Sequence, residues 1–255
     1  MIRFAEVKDI GDIIGLWNIA FPEEPDFNKY FFENIFNYKN TLITVINNEL
    51  AAMAQLLPYE IKDIGNVTYI YGAATKPEYR KRGLMGELLK KSFEIDIEKG
   101  KSASILIPAN KPLFDFYKRF GYEVAFYADR KVYKAGEKYA EIKEALSNDI
   151  PKLMNIYSGD IIRSEEYWEE QLKMYNSLGG RIFLYGSAYA VVSDKIEEIM
   201  FKDLKDKEIL INSVCKYLKC SCVEVTEEGK GTSVGMIKKH RKFNTEKLYM
   251  NLMYN

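Results

Sequence analysis

The feature that most constrains this chain is a basic, glycine-containing loop between a strand and a helix. Residues 69–75 (YIYGAAT) have the composition of a buried strand, and apolar residues recur with the helical period over residues 84–93. The segment 76–83 (KPEYRKRG) joins them. A helix N-terminus carries unpaired N–H groups and a partial positive charge, and Gly83 lets an anion approach the backbone. The loop is therefore predicted to bind a pyrophosphate.

The spacing of this loop excludes the common nucleotide-binding patterns G-x-x-x-x-G-K-S/T and G-x-G-x-x-G. Residues 80–85 (RKRGLM) resemble the signature Gln/Arg-x-x-Gly-x-Gly/Ala of the GNAT superfamily of N-acetyltransferases, whose loop amides hold the pyrophosphate of acetyl-CoA. Met85 stands where the family usually has Gly or Ala, and Gly86 follows it. The resemblance implies that acetyl-CoA contacts the following loop residues: Lys81, Arg82, Gly83, Leu84, Met85 and Gly86.

A second block strengthens the resemblance. Residues 102–108 (SASILIP) are predicted to form another buried strand, and 110–122 (NKPLFDFYKRFGY) follow it. At this place the superfamily has an Asn and then a short helix, which ends in a Tyr four residues before a Gly-aromatic pair. The matching residues are Asn110, Tyr117, Gly121 and Tyr122.

The resemblance implies roles for these residues. Tyr117 would be the general acid that protonates the CoA thiolate, and Asn110 and Leu113 would contact the cofactor. The alternative for Tyr117 is a core aromatic among neighbouring Phe side chains. Backbone N–H groups of the strand end would hold the pantetheine and polarise the thioester. These are Ala73, Ala74 and Thr75.

The general base is not identified, because residues 69–75 contain no carboxylate. Residues 21–32 combine aromatic side chains with the acids Glu23, Glu24 and Asp26, which are predicted to bind a cationic amine. One of these acids, or a water molecule, would act as the base. The alternative is that the acids only stabilise the N-terminus of an amphipathic helix.

The length of 255 residues favours two domains. Residues 1–135 are predicted to form a mixed α/β sheet with its helices. Residues 149–157 (DIPKLMNIY) echo 9–17 (DIGDIIGLW), which indicates duplication and a second domain over 136–255, ending with strands at 222–226 and 248–253. Where this second copy needs a phosphate loop, 202–208 (KDLKDKE) has no Gly and three carboxylates. The second domain is therefore predicted to be degenerate and not to bind CoA.

An intact GNAT domain followed by a degenerate one resembles the tandem-GNAT proteins related to the enhanced intracellular survival acetyltransferases. Many of these add a sterol-carrier-like third domain, whose terminal carboxylate reaches the active site. This sequence is expected to lack that domain, since Asn255 ends the second one. The resemblance therefore does not imply that a terminal carboxylate acts as the general base in this chain.

Composition narrows the function classes. The 37 basic and 37 acidic residues balance, which argues against a nucleic-acid partner. Without an apolar stretch of 18 residues or a signal peptide, a cytoplasmic protein with no membrane partner is expected. Cys215, Cys220 and Cys222 are interpreted as buried thiols rather than metal ligands. His240 lies in a run predicted to be a solvated basic turn, and no metal is expected.

The sequence thus predicts an acetyl-CoA-dependent N-acetyltransferase that acts on a primary amine of a small molecule or peptide. The alternative is a non-catalytic acyl-CoA-binding regulatory protein that retains the phosphate loop. Assembly into a homo-oligomer is left open.

Overall fold

A computed structural model describes residues 1–245 and 247–254, and the chain divides into two units. The first unit consists of Met1–Ala125 and Gly235–Thr245, and the second of Phe126–Val234 and Glu246–Asn255. Both contain sheets flanked by helices, so the predicted mixed α/β class is confirmed. None of the helices in the described residues is at once long and apolar enough to span a membrane.

The first unit is built around a mixed sheet. Its strands β1 to β4 are successively antiparallel, whereas β4 and β5 are parallel. Helix α1 buries Ile13, Leu16 and Trp17, as the apolar spacing of residues 10–17 predicts. The bounds of the elements are β1 Ile2–Phe4, α1 Ile10–Ala20, α2 Pro25–Asn34, β2 Thr41–Ile46, β3 Glu49–Ile61, β4 Gly65–Thr75, α3 Leu84–Glu98, β5 Ala103–Leu106 and α4 Lys111–Lys118.

The second unit repeats this pattern. Its first three strand pairs, β7 to β10, are antiparallel, and β10 pairs with β11 in parallel. The remaining elements are β6 Glu123–Lys134, β7 Lys143–Glu144, α5 Ile150–Ile156, α6 Glu165–Ser177, β8 Arg181–Tyr185, β9 Ala188–Val192, β10 Ile196–Phe201, α7 Leu204–Leu218 and β11 Cys222–Lys239.

The echo between residues 9–17 and 149–157 extends to matching side-chain contacts. Asp9 accepts a hydrogen bond from the backbone of Glu6 and forms an ion pair with Arg3 at 2.6 Å. Asp149 likewise accepts from the backbone of Leu146 and pairs with Lys143 at 2.5 Å. In both copies the acid therefore secures the turn before the helix, although its side chain makes no capping bond to the helix itself.

The sequence predicts a division at residue 135, but the first unit also contains Gly235–Thr245, which lies far along the chain. Strand β5 pairs on one side with β4 and on the other with Met236–Lys239, at the end of β11. Met236 and Ile237 are fully buried there. Without this segment β5 would be an edge strand with unpaired backbone groups. Residues 126–134, which were expected to complete the first sheet, instead pair with β11 in the second unit.

The strand predicted at 248–253 is wrong. Only an isolated bridge between Phe126 and Leu248 forms there, and the chain that follows has no regular structure in the described residues. The strand that begins at Cys222 runs on to Lys239 instead. The apolar composition of 248–253 reflects burial in the core of the second unit, where Tyr249, Met250 and Met253 are at most 2% exposed.

A fully buried ion pair lies in the core of the second unit. Arg163 binds Glu198 through two hydrogen bonds of 2.6 and 2.9 Å, and both side chains are 0% exposed. The hydroxyl groups of Tyr189 and Tyr249 also donate to Glu198, at 2.7 and 2.9 Å. The carboxylate is thus satisfied on both oxygens. Such a pair fixes the loop around Arg163 to β10, because either charge alone would be costly to bury.

Replacing Glu198 should therefore destabilise the second unit strongly. Glu198→Ala leaves the Arg163 guanidinium buried without its counter-charge, and we expect a loss of about 3–5 kcal/mol of unfolding free energy. Glu144→Ala is the matched control, since Glu144 pairs with Arg181 at 3.1 Å in a partly exposed setting and should cost less than about 1 kcal/mol. Urea unfolding followed by circular dichroism measures both. Equal losses for the two variants would contradict the assignment.

Candidate functional site

The candidate site begins where β4 and β5 part. The two strands pair only from Val67–Ala103 to Tyr69–Ile105, and β4 continues to Thr75 without β5. On the other side β4 stays paired with β3, but with an irregularity. Met53 lies opposite Ala74 and Gln55 opposite Tyr71, so β4 carries one extra residue in between. The extra residue is a β-bulge, which bends a strand and increases its twist.

Gly72 makes this bulge possible. Its φ of +56° lies in the left-handed region, and a Cβ at this position would overlap the ring of Trp17 from α1. The Trp17 indole is fixed in turn, because its Nε1 donates to the Asn28 side chain of α2 at 2.7 Å. The bare backbone of Gly72 therefore receives an aromatic ring held by two helices. Residues 73–75 follow directly, and they are the strand end predicted to hold the pantetheine.

The predicted phosphate loop ends in an uncapped helix. Gly83 is the N-cap residue of α3, has a φ of +79° and lacks a side chain that could accept from the first turn. The first N–H groups of a helix have no acceptor within it, so those of Leu84, Met85 and Gly86 remain available to an anion. Nothing would contact a Cβ within 4 Å at Gly83, which shows that the helix start is open.

Basic side chains surround this helix start. Lys81 and Arg82 are exposed, and Lys81 has a positive φ of 60° in the turn before Gly83. Arg80 donates from Nε to the carbonyl of Thr75 at 3.2 Å, which ties the loop to the end of β4. The structure thus places the end of β4 next to the loop that leads into the first turn of α3. Together these groups favour an extended ligand with a multiply charged anionic part.

Gly86 has a different role from the one its place in the loop implies. It is buried, and a Cβ there would lie 2.8 Å from the ring of Phe120. Leu84 and Met85 are half-buried against the same core. Gly86 is thus required for close packing of the helix on Phe120. The N–H of Gly86 is in the first turn of α3. It can therefore contribute to an anion site independently of the contact with Phe120.

Tyr117 lies at the end of α4, which Asn110 begins. The side chain of Asn110 accepts from the N–H of Leu113 at 3.2 Å, so its oxygen serves as the helix cap. Tyr117 is 8% exposed, and its ring packs against Tyr122 with centroids 5.7 Å apart. Burial raises the pKa of Tyr117 to about 12. The phenol therefore stays protonated near neutral pH and can act as a proton donor but not as a base.

The three loop acids differ in position. Glu23, Glu24 and Asp26 are all exposed around the start of α2. Glu24 is the one whose charge acts on β4, because burial and, secondarily, the Glu24 carboxylate raise the pKa of Tyr71. Tyr71 also packs against Trp17 with ring centroids 5.6 Å apart. The charge of Glu24 thus acts on Tyr71 in the aromatic cluster at the bulge, although all three acids are exposed to solvent.

The corresponding helix start in the second unit is closed by its own side chains. Asp203 caps α7 by accepting from the N–H of Lys205 at 2.7 Å. Asp206, in the first turn, accepts from the N–H of Ser187 at 2.7 Å. Lys207 reaches across to form an ion pair with Glu227 of β11. Asp203 thus occupies one N–H of the first turn of α7, and its carboxylate and that of Asp206 place negative charge at the helix start, whereas the start of α3 has no such cap.

The structure corrects two residue-level expectations. His240 does not lie in a solvated turn, because its ring is only 3% exposed and lies 3.2 Å from the carboxylate of Asp96. Of the three free cysteines only Cys215 is buried, whereas Cys220 is half-buried and Cys222 is exposed. His240 is buried because β11 continues into the first unit, a pairing that the local sequence of residues 238–242 does not reveal.

Sequence reasoning missed the contribution of Gly72 and Trp17 to the site. A glycine within a strand often marks a bulge or a close approach of another group, and this signal was present in YIYGAAT. Trp17 was predicted only as a core residue of α1. Its partner at Gly72 lies on a distant strand, so the sequence alone does not connect them.

Comparison with known proteins identifies the fold of this site. Residues 1–125 match the family model for an acetyltransferase (GNAT) domain. Among solved structures, a GCN5-related N-acetyltransferase from Kribbella flavida is 16% identical, with a TM-score of 0.67 over 94% of this chain and 70% of that one. A second, from Anabaena variabilis, is 14% identical, with a TM-score of 0.72 over 93% and 72% of the two chains.

The fold of this chain is also similar to that of Eis1 from Mycobacterium abscessus. This protein is 10% identical, with a TM-score of 0.62 over 94% of this chain and 73% of its own. At such identities the likeness concerns the fold alone. A comparison with curated protein sequences gives no match.

The dependence of the bulge on Gly72 gives a testable expectation. Gly72→Ala places a methyl group in the Trp17 ring at a positive φ, and we expect it to destabilise the first unit by at least about 1–3 kcal/mol. Gly11→Ala is the control, because nothing lies within 4 Å of its added Cβ and it lies in α1, where Ala should be neutral or slightly stabilising. Chemical denaturation compares them. Wild-type stability of Gly72→Ala would refute the packing argument.

Proposed function

Since residues 1–125 belong to the GNAT superfamily of N-acetyltransferases, we propose that this chain binds acetyl-CoA and transfers its acetyl group to a primary amine of a small molecule or peptide. The observation that carries the proposal is the combination of two features in one unit. The helix start at Gly83 is uncapped, and the strand end at 73–75 has no partner on the β5 side. The first would receive the anionic end of the cofactor, and the second would offer backbone groups to the rest.

Cofactor binding follows from this arrangement. The pyrophosphate lies on the N–H groups of Leu84, Met85 and Gly86, with Lys81 and Arg82 adding positive charge. The pantetheine extends along β4, where it pairs with backbone groups that β5 leaves free. The thioester carbonyl then accepts from an N–H group in the segment Ala73–Thr75, which stabilises the negative charge that develops on its oxygen.

Acyl transfer requires two proton movements. The neutral amine attacks the thioester carbon, a C–N bond forms, and the C–S bond breaks to release CoA as a thiolate. Tyr117 gives its proton to that thiolate. Burial raises the pKa of Tyr117 to about 12, so the phenol is protonated when the C–S bond breaks, but it is a weaker acid than an ordinary tyrosine. The amine proton leaves to water or to one of the exposed carboxylates of Glu23, Glu24 and Asp26, which would also bind the cationic amine.

The second unit is proposed to be a GNAT-like fold without a cofactor site. Its strand pairing repeats that of the first unit from β7 to β11, and α7 occupies the place of α3. The carboxylates of Asp203 and Asp206 at the start of α7 would repel a pyrophosphate, and Asp203 already occupies the N–H of Lys205 in the first turn. The chain should therefore bind one molecule of acetyl-CoA.

The role of the helix start is tested by giving α3 the cap that α7 has. Gly83→Asp should weaken acetyl-CoA binding at least about tenfold, because a carboxylate would compete for the first-turn N–H groups and repel the pyrophosphate. Gly100→Asp is the control, since Gly100 follows the other end of α3, has a similar φ of +67° and also has open space around it. Lys81→Ala should have a smaller effect than Gly83→Asp. Titration calorimetry gives both affinity and stoichiometry.

An unchanged affinity for Gly83→Asp would contradict binding through the helix start. A stoichiometry of two acetyl-CoA molecules per chain would contradict the assignment of a single cofactor site.

The role of Tyr117 is tested by removing its hydroxyl. Tyr117→Phe should reduce kcat by about 100-fold while acetyl-CoA affinity and folding remain, because the ring still fills its place. Tyr122→Phe is the matched control, since it removes a neighbouring hydroxyl that bonds Ser104 at 2.6 Å and should lower stability rather than kcat. Steady-state kinetics on an amine panel, with thermal melts, separates the two effects.

A Tyr117→Phe variant with wild-type kcat would remove Tyr117 from the mechanism. If wild-type protein binds acetyl-CoA but shows no turnover with any amine, the non-catalytic acyl-CoA-binding alternative is supported instead.

A further inference from the structure

The second unit contains a cavity at the place where its own parallel strands part. Strands β10 and β11 last pair at Ile199 and Glu227, and beyond that point a cavity of about 340 Å³ opens. It is lined by residues 199–201 of β10, residues 228–230 of β11, residues 247–249 and Ser158. Its volume is near the lower limit of small-molecule sites, about 300–1,000 Å³. In the first unit, the equivalent position is the parting of β4 and β5.

An ion pair joins α7 to β11 at the residue before the cavity residue Glu228. Lys207, 8% exposed, reaches from the first turn of α7 to Glu227, which directly precedes the cavity residue Glu228. Burial alone would raise the pKa of Glu227, but hydrogen bonds from Lys207 and Lys131 keep it below its ordinary value, so the pair stays charged. The ion pair joins helix and strand directly. Successive side chains of a strand point to opposite faces, so the Glu227 ion pair lies on the α7 face of β11 and the Glu228 side chain on the other.

The charged groups of the cavity favour an anion. Glu228 and Lys230 are two residues apart on β11 and so lie on the same face of the strand. The carboxylate of Glu228 is already engaged, because the Ser158 hydroxyl donates to it at 3.1 Å. The Nζ of Lys247 lies 5.0 Å from the Tyr127 ring, and in the described part of the chain neither Lys230 nor Lys247 forms an ion pair. Two ammonium groups are thus left for a ligand.

The remaining walls are largely apolar. Met200 is 2% exposed, and Phe201 and Leu248 are half-buried beside the cavity. A ligand that satisfies this lining has one anionic group and a short hydrocarbon part. A free inorganic anion would leave the apolar wall uncovered.

We propose that this cavity is a binding site for a small aliphatic carboxylate, whose carboxylate lies between Lys230 and Lys247 and whose chain packs on Met200, Phe201 and Leu248. The site is distinct from the proposed acetyl-CoA site and does not depend on it. It makes the second unit a ligand-binding domain built on the strand geometry that the first unit is proposed to use for catalysis.

The test compares three ligands of the same shape on the full chain. Isovalerate, its neutral amide isovaleramide and the cationic isopentylamine differ only in the charged end. Ligand-observed NMR titration should show isovalerate binding with a dissociation constant near about 1 mM, as expected for a ligand of this size. The amide should bind at least about tenfold more weakly, and the amine should not compete with isovalerate.

Variants locate the site. Lys230→Met combined with Lys247→Met should weaken isovalerate binding at least about tenfold, because both charged donors are lost while the chain length is kept. Lys134→Met is the control, since Lys134 is also an exposed lysine of the second unit but does not line the cavity. Thermal melts confirm that all variants fold, as exposed lysines permit.

Three results would overturn the proposal. They are the absence of isovalerate binding at about 10 mM, equal affinity in the double variant and the wild-type protein, and tighter binding of the amine than of the carboxylate. The last result would assign the cavity to Glu228 and a cation. None of these readouts involves acetyl-CoA or turnover, so failure here is distinguishable from failure of the proposed function.

Discussion

The candidate site depends on the contact between Trp17 and Gly72. Strand β4 continues beyond the end of β5 at Leu106, and the bulge lies in this part of β4, which β5 does not cover. The indole of Trp17, held by Asn28, occupies the space that any side chain at residue 72 would need, and the strand accommodates it with an extra residue. Because this contact is made within a tightly packed core, it also fixes where the strand end lies relative to α1 and α2.

The two units show how little must change for a helix N-terminus to lose its affinity for anions. Helices α3 and α7 follow equivalent strands and have their caps at Gly83 and Asp203. A glycine leaves the first-turn donors to an external ligand, whereas an aspartate satisfies one of them and places a negative charge at the positive end of the helix. Lys207 and Glu227 then fill the space beside the helix with an internal ion pair. The start of α7 in the second unit is thus occupied by side chains of the protein itself, whereas the start of α3 in the first unit is open to a ligand.

Much of the first unit was predictable from the sequence, because its signals are local. The apolar period of residues 84–93, the glycine at 83 and the helix cap at Asn110 each act within a few residues. The distant pairings were not predictable. Residues 236–239 complete the first sheet although they follow β5 by more than a hundred residues, and this changes the surroundings of His240. The apolar stretch 248–253 was wrongly predicted to be a strand. A buried segment without strand pairing has the same apolar composition as a buried strand.

Strand β11 has a consequence for how this protein emerges from the ribosome. Its first part belongs to the second unit, and its residues 235–239 belong to the first. The N-terminal unit therefore cannot complete its sheet when its own 125 residues have been synthesised. During translation of the second unit, β5 presents an open edge of buried, apolar side chains, the kind of surface that invites pairing with another chain. A fragment ending at residue 125 would keep that edge, so the first unit can complete its sheet only after residues 236–239 have been synthesised.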